Sequence, residues 1–503
     1  MCRKQSLLII SMLAASCTVG PDYVRPGVTL TPQFKEGRGQ AFKPELKEGW
    51  KLAEPRDLVN RGQWWKIFCD PELNALEDQL NHYNQSIVNA LANYEQAKDT
   101  VYAARSAYLP IVSAAFNLTR QRQGGGINTF FSTSGGTTST DIATTGNTGT
   151  TTNSRGITRT IYSAFITATW EPDIWGLVRR TVEGEVAAAQ SSQALLAATT
   201  LSVQGLLAQY YFQLRTLDRD QQLLNDTVGV YRKTLALTRN QYNSGVVSRA
   251  DIVQAQSQLE NAQALAINNR ILRSQYEHAI AVLMGRPPAT FTMRFKPLKA
   301  KPPVIPVTIP SLWLERRPDV AQAERLMHQA NAKIGVACAA YFPTLNLSAS
   351  ASAAARSLGK LFTAPALGWS AGLQVAQTIF NGGLRWANLM AAKAGYMAEI
   401  ANYRQTVLVA FQDVEDNLVA LRVLKEQGIV QNAAAASAQK ALALVLNQYK
   451  SGIVPYSSVL TAQIQAFNAQ KAAYDVIGLQ MSAAVRLIKA LGGGWSVQDI
   501  VSV

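Results

Sequence analysis

Cysteine, histidine and charge are all scarce in this sequence. Among 503 residues there are four cysteines and three histidines. Cys2 and Cys17 stand in the leader and Cys69 and Cys338 are isolated, so neither a CxxC pair nor a zinc-like spacing exists. His82, His278 and His328 are far apart and read as solvated helix positions. With no nucleophile–base set and no metal spacing, the sequence does not describe an enzyme, and no metal or cofactor is expected. "GGG" at Gly124 and Gly492 lacks the strand–helix context and the Lys of a phosphate loop. Charged residues make up 16% against 48% hydrophobic, a low charge for a soluble protein. The formal net charge is +15, but Lys and Arg are scattered without a basic stripe carrying interleaved aromatics, which argues against nucleic acid as a partner.

Also missing is any apolar run of the roughly 18–20 residues that a membrane-spanning helix needs. The nearest is the N-terminus, "MCRKQSLLIISMLAASC". Arg3 and Lys4 form a positive region, Leu7 to Leu13 a short apolar one, and Ala14, Ala15 and Ser16 precede Cys17. Residues 1–16 read as a secretory signal peptide. Small residues directly before Cys resemble a bacterial lipobox, which makes Cys17 the expected lipidated first residue, although Ala14 stands where that pattern prefers Leu. The alternative is an ordinary signal peptide cut nearby. Lipid anchoring contributes about 0.8 kcal/mol per buried CH₂, so one chain alone holds only marginally.

Proline is absent over long tracts: between Pro172 and Pro287, between Pro365 and Pro455, and after Pro455. These tracts are rich in Ala, Gln, Leu, Val and Asn, good or tolerable helix formers. The 64 residues from Leu384 to Asn447 would make a helix of about 96 Å at 1.5 Å per residue. A helix that long needs coiled-coil-like neighbours; Val407, Ala410, Val414, Leu418 and Leu421 step by three and four. A soluble helical bundle would satisfy this pattern too.

What is present is a repeat. "QYNSGVVSRADIVQAQ" at Gln241–Gln256 returns as "QYKSGIVPYSSVLTAQ" at Gln448–Gln463, and Gly245 and Gly452 lie 207 residues apart. At the same offset Gly176 meets Gly383 and Gly285 meets Gly492. Further upstream "ARSAYLP" ending at Pro110 echoes "ACAAYFP" ending at Pro343, at an offset of 233. The surplus matches an insertion of Gly, Thr, Ser and Asn, expected as an exposed surface loop over 123–157. A Pro-rich stretch from Pro287 to Pro310 reads as an extended linker between the two halves.

Four segments alternate with period two. Val112, Ala114, Phe116 and Leu118 lie opposite Ser113, Ala115, Asn117 and Thr119; Tyr162 to Trp170, Leu345 to Ala349 and Trp369 to Val375 alternate likewise. Apolar on one face and small or polar on the other suits a transmembrane β-barrel with a wet lumen. Tyr162, Trp170 and Trp369 near strand ends suit interfacial belts. A soluble sheet with one buried face would alternate in the same way. In lipid, an open edge is forbidden and the smallest barrels have eight strands, so four strands require several chains. Two chains would give eight and three twelve; the pattern does not choose.

The phrases "CTVGPDYVRP", "WWKIFCDPELNAL" (Trp64–Leu76), "PDIWGLVRR" (Pro172–Arg180), "RRPDVAQAE" (Arg316–Glu324), "IFNGGLR" (Ile379–Arg385), the two "QY-x-SG" phrases and "LGGGW" (Leu491–Trp495) together resemble the outer-membrane factor (TolC/OprM-like) family, in its lipoprotein branch of efflux channel components. The resemblance runs from Cys17 to about Trp495. It implies a homotrimer with a twelve-stranded outer-membrane β-barrel, four strands per chain. A long periplasmic α-helical barrel and a mixed equatorial region continue it. The expected division is 1–16 signal peptide, 17–70 lipidated arm with an equatorial contribution, 71–286 first repeat, 287–315 linker, 316–492 second repeat and 493–503 tail. The implied activity is passive conduction in a tripartite efflux system. The implied partners are outer-membrane lipids, a periplasmic adaptor (membrane fusion) protein and an inner-membrane pump, commonly of the resistance-nodulation-division type. An outlet for type I protein secretion is the other reading on the same fold, and a general diffusion porin would supply many more strands.

The resemblance also places residues. Ser244, Gly245 and Val246, with Ser451, Gly452 and Ile453, match the tips that receive the adaptor. Beyond them lies the family's periplasmic gate, which here carries Arg249, Asp251, Val454, Ser458 and Thr461. Relatives carry Asp where Ser458 or Thr461 stands, and a basic latch often stands at Val454. The expectation is a gate closed by packing and hydroxyl hydrogen bonds, with Arg249–Asp251 as a local ion pair.

Overall fold

The computed structural model describes residues 18–27, 35, 62–123, 157–299, 302, 303, 305 and 316–493. Cys17, the signal segment, most of the N-terminal arm, the greater part of the 123–157 loop and the tail lie outside the described residues. In chain order the elements are α1 (Pro71–Tyr83), α2 (Gln85–Ser106), β1 (Ile111–Gln123), β2 (Ile157–Trp170), α3 (Leu177–Asn243), α4 (Arg249–Leu283), α5 (Pro318–Ala339), β3 (Thr344–Ala355), β4 (Leu367–Ala376), α6 (Leu384–Lys450) and α7 (Tyr456–Ala490). The described residues fall into two compact units, one around 102–182 and 335–389, the other around 21–101, 183–334 and 390–493.

The first unit holds an antiparallel sheet in the order β1-β2-β3-β4. Its register aligns every expected alternation. Phe116 pairs with Ala164, which pairs with Ala353, which pairs with Leu367; Ala114, Ile166, Ala351 and Trp369 form the next row. One face is therefore apolar from strand to strand. The opposite face carries Ser113, Thr167, Ser350 and Ser370 in one row. Its hydroxyls bond across strands, Ser113 to Thr167 at 2.7 Å and Ser350 to Ser370 at 2.9 Å. Trp369 is 83% exposed and Phe116 56%, so among the described residues most of the apolar face is uncovered, with Ala353 buried near the end of β3. A soluble sheet with one buried face would cover these side chains.

β1 and β2 extend further than their alternation. Thr119 to Gln123 pair with Ile161 to Ile157, through Arg120, Gln121, Arg122 and Thr158 to Thr160. A ladder needs only backbone groups, so it runs on into a stretch whose side chains no longer alternate. At the β2–α3 junction, "PDIWGLVRR" acts as a clasp. The Asp173 carboxylate accepts from the backbone N–H groups of Val178 and Arg179 at 3.0 and 2.8 Å, an N-terminal cap. Trp175 Nε1 donates to Pro343 O at 2.7 Å, and its ring stacks on Phe342.

In the second unit the core gathers Trp64, Phe68, Leu73, Tyr211, Phe212, Met327, Val407 and Val485. "WWKIFCDPEL" supplies three of these, Trp64, Phe68 and Leu73, and Asp70 caps α1 by accepting from Glu72 N at 3.0 Å, with Pro71 at the first helical position. In "RRPDVAQAE", Arg317 donates to Asp319, to Asp413 at 3.3 Å and to the Ala490 carbonyl at 3.1 Å, while Glu324 accepts from the Tyr23 hydroxyl at 2.7 Å. His82 and His278 are exposed as expected. His328 is not a solvated position: it stacks on Tyr23 at 4.4 Å, and its Nε2 lies 3.0 Å from Glu183 Oε1. Over its described residues the Pro-rich linker starts with a short 3-10 turn at Pro288–Thr290 and is pinned beyond it. Leu298 N donates to Arg215 O at 3.1 Å and Lys296 N to Asp218 at 3.0 Å.

One helix, α6, contains an 18-residue window of mean hydropathy 1.2, of which only 6% is buried. Its outward apolar residues include Leu408, Val409, Val430 and Leu444.

Candidate functional site at the helix tips

Two helical hairpins end the second unit, α3 turning into α4 and α6 turning into α7. At the first tip Val246 N donates to Gln241 O and Gly245 N to Tyr242 O, both at 2.9 Å. At the second, Ile453 N donates to Gln448 O at 2.9 Å and Gly452 N to Tyr449 O at 3.0 Å. This crossed pair of bonds satisfies the last helical carbonyls and requires a left-handed residue between them. Gly245 has φ +76° and Gly452 +74°. A Cβ at either would meet nothing within 4 Å, so the turn alone, not a close neighbour in the chain, demands glycine. Ser244 and Ser451 bond back to Asn240 and Asn447 carbonyls. Val246 and Ile453 then stand out at 61% and 71% exposed.

The returning helices start differently. Ser248 caps α4 by a reciprocal box: its Oγ accepts from Asp251 N at 3.3 Å, and Asp251 Oδ2 accepts from Ser248 N at 3.0 Å. Asp251 is thus occupied by Ser248, and no Arg249–Asp251 ion pair forms. The reason is geometric, since residues two apart on a helix do not face each other. α7 has Pro455 at its cap position with no side-chain cap.

Beneath the tips Tyr231, Leu235, Ala255, Leu259, Tyr449, Tyr456 and Val459 form one cluster, with Val247 and Val454 packed on it at equivalent places in the two repeats. Tyr449 OH lies 3.0 Å from Thr238 Oγ1, Gln241 Nε2 donates to the Tyr449 carbonyl at 3.1 Å, and Gln463 Nε2 donates to Thr234 Oγ1 at 3.0 Å. Burial pushes the Tyr456 phenol up to about 12, helped by neighbouring Tyr449 and Tyr231. The cluster therefore stays neutral at physiological pH.

The model of the family described as outer membrane efflux protein matches residues 76–286 and 309–493. The chain belongs to the outer membrane efflux protein family. It is 29% identical over 499 residues to the probable efflux pump outer membrane protein TtgC of Pseudomonas putida, covering 98% of this chain and 96% of that one. It is 28% identical over 497 residues to the pyoverdine export outer membrane protein OpmQ of Pseudomonas aeruginosa, covering 98% and 97%. Among solved structures, the open state of the Neisseria gonorrhoeae MtrE outer membrane channel matches with a TM-score of 0.76 at 26% identity, covering 95% of this chain and 98% of that one. As an outer membrane efflux protein, the chain resides in the outer membrane and serves efflux. Its strands supply the barrel and its long helices the periplasmic portion.

Within this outer membrane efflux protein the expected tip residues fall together. Ser244 to Val246 and Ser451 to Ile453 occupy equivalent corners of two hairpins. The expected gate residues separate: Val454 is half-buried against its own cluster, Ser458 is half-buried, and Thr461 is exposed with its hydroxyl donating to Ser457 O at 3.0 Å. Sequence reading missed Thr234, Thr238, Tyr449, Tyr456 and Gln463 as the residues that join the hairpins. The available signal was the departure from the repeat, Tyr456 standing where the first copy has Arg249.

Proposed function

We propose that three copies of this chain close a twelve-stranded barrel and passively conduct small toxic compounds out of the cell, catalysing no reaction. The observation that carries this is the sheet. Most of its apolar face is bare, its other face is lined with hydroxyls, and β1 and β4 end it on both sides. In lipid such edges must be paired, and only repetition of the chain supplies the missing strands. A periplasmic adaptor docks on Ser244, Gly245, Val246 and on Ser451, Gly452, Ile453. An inner-membrane pump of the resistance-nodulation-division type supplies the energy. Curated relatives are named for toluene and for pyoverdine export, which supports small molecules over protein secretion as cargo. Lipid at Cys17 holds the start of the mature chain at the membrane. The gate closes by packing around Val454, with Ser458 and Thr461 offering hydroxyls.

The test is the mass of the purified protein in detergent, together with its conductance in planar bilayers. A trimer forming discrete channels is expected; a monomer without channels would overturn the reading. A deletion strain sensitised to small toxicants but unaltered in secreted proteins separates efflux from protein export. Radioactive palmitate should label the wild type and spare Cys17→Ser.

A further inference from the structure

Tyr242 and Tyr449 hold the same place in the two repeats, yet Tyr449 is 1% exposed and Tyr242 42%. Were the hairpins related by a local two-fold axis, contacts would be reciprocal: Tyr449 on α3 would be matched by Tyr242 on α6. They are not. The contact between hairpins is head-to-tail, and a head-to-tail contact leaves one receiving face and one inserting face unused at its ends. Shifting the observed contact by the 207-residue offset names both. The inserting face is Tyr242, Arg249 and Gln256, equivalent to Tyr449, Tyr456 and Gln463. The receiving face is Ala441, Val445 and Gln448, equivalent to Thr234, Thr238 and Gln241. Ala441 and Gln448 are exposed and Val445 half-buried on α6.

We infer that Tyr242, Arg249 and Gln256 of one copy seat on the α6 face of Ala441, Val445 and Gln448 of a second copy, and that this seam is the weaker of the two. The inference rests on the multi-chain reading above and adds its contact residues. Near the tips, among the described residues, the seam within a chain has three side-chain hydrogen bonds: Thr238 with Tyr449, Thr234 with Gln463, and Gln241 with the Tyr449 carbonyl. Between chains Val445 replaces Thr238 and Ala441 replaces Thr234. Only Gln448 can repeat its bond, to the Tyr242 carbonyl. Gln256 fits this surface because its amide is satisfied within its own hairpin, accepting from Arg239 at 3.1 Å and donating to Glu260 at 2.7 Å. A tube built this way parts between copies at the tips, while the two hairpins of each chain stay joined.

Two differently tagged full-length forms expressed together provide the test, one carrying p-benzoylphenylalanine at position 242. Illumination should yield a dimer band bearing both tags, with the cross-link on the peptide holding 441–448. A trimer whose cross-links fall in the same chain, or elsewhere in the second copy, overturns the seam and leaves the assembly intact. A monomer overturns both. Ala441→Thr with Val445→Thr should raise the temperature at which the oligomer dissociates in dodecyl sulfate by several degrees and lower its leak conductance. An unchanged or lower dissociation temperature overturns the claim that missing hydroxyls weaken the seam.

Discussion

Arg215 and Asp218 form an ion pair at 2.9 Å with both side chains out of solvent. Arg215 also donates to Glu72 at 2.6 Å and to the Arg294 carbonyl at 2.7 Å, while Arg273 reaches the other oxygen of Asp218 at 2.7 Å. The network joins α1, α3, α4 and the linker, so the linker's path is set by buried charge. Removing one partner leaves the rest uncompensated. Arg215→Ala should destabilise this region by about 3–5 kcal/mol. Limited proteolysis should then cut between Met293 and Leu298, and an uncut linker would refute the pinning.

Asp220 is buried against Lys471 at 3.5 Å, and burial pushes its carboxyl from 3.8 up to about 6. The folded protein thus holds this proton more tightly than the unfolded chain. Its contribution to stability is present below about 4, declines as pH rises through about 6, and amounts at neutral pH to a cost of about 3 kcal/mol. Asp220→Asn should raise stability at pH 7 and flatten the slope between pH 4 and 6 in denaturant titrations. A parallel slope in the variant would show that another group titrates.

Gly245→Ala and Gly452→Ala put a Cβ into open space at positive φ. Each should cost about 1–2 kcal/mol through backbone strain alone. The cost should appear locally, as faster amide exchange at Val246 and Ile453, with global unfolding little changed.

Gly478 presents the opposite case. A Cβ there would sit 2.5 Å from Thr216 Oγ1 and 2.9 Å from its Cγ2, between α7 and α3. Gly478→Ala should therefore cost about 1–3 kcal/mol by overpacking. Adding Thr216→Ala should recover most of the loss, and purely additive losses would place the strain elsewhere.

Local signals made much of the fold legible. The absence of proline marked α3, α4, α6 and α7. The repeat marked both tips, and alternation marked four strands, though not the ladder beyond Thr119. The capping box at the first tip was also legible, in Ser248 followed three residues later by Asp251, where attention to charge suggested Arg249 instead. The hydrogen bonds that join the hairpins were not legible, because their partners stand more than 200 residues apart and neither carries a local mark.

The sequence by itself determined the helix lengths, the left-handed turns at Gly245 and Gly452, and the two faces of each strand. These depend on backbone preference and on periods of two and 3.6 residues, which neighbours in the chain encode. Only the tertiary structure decided that Tyr449 is enclosed and Tyr242 bare, and that Arg215 and Asp218 anchor the linker. Burial is a property of what packs against a residue, and two copies of one phrase share a conformation without sharing neighbours.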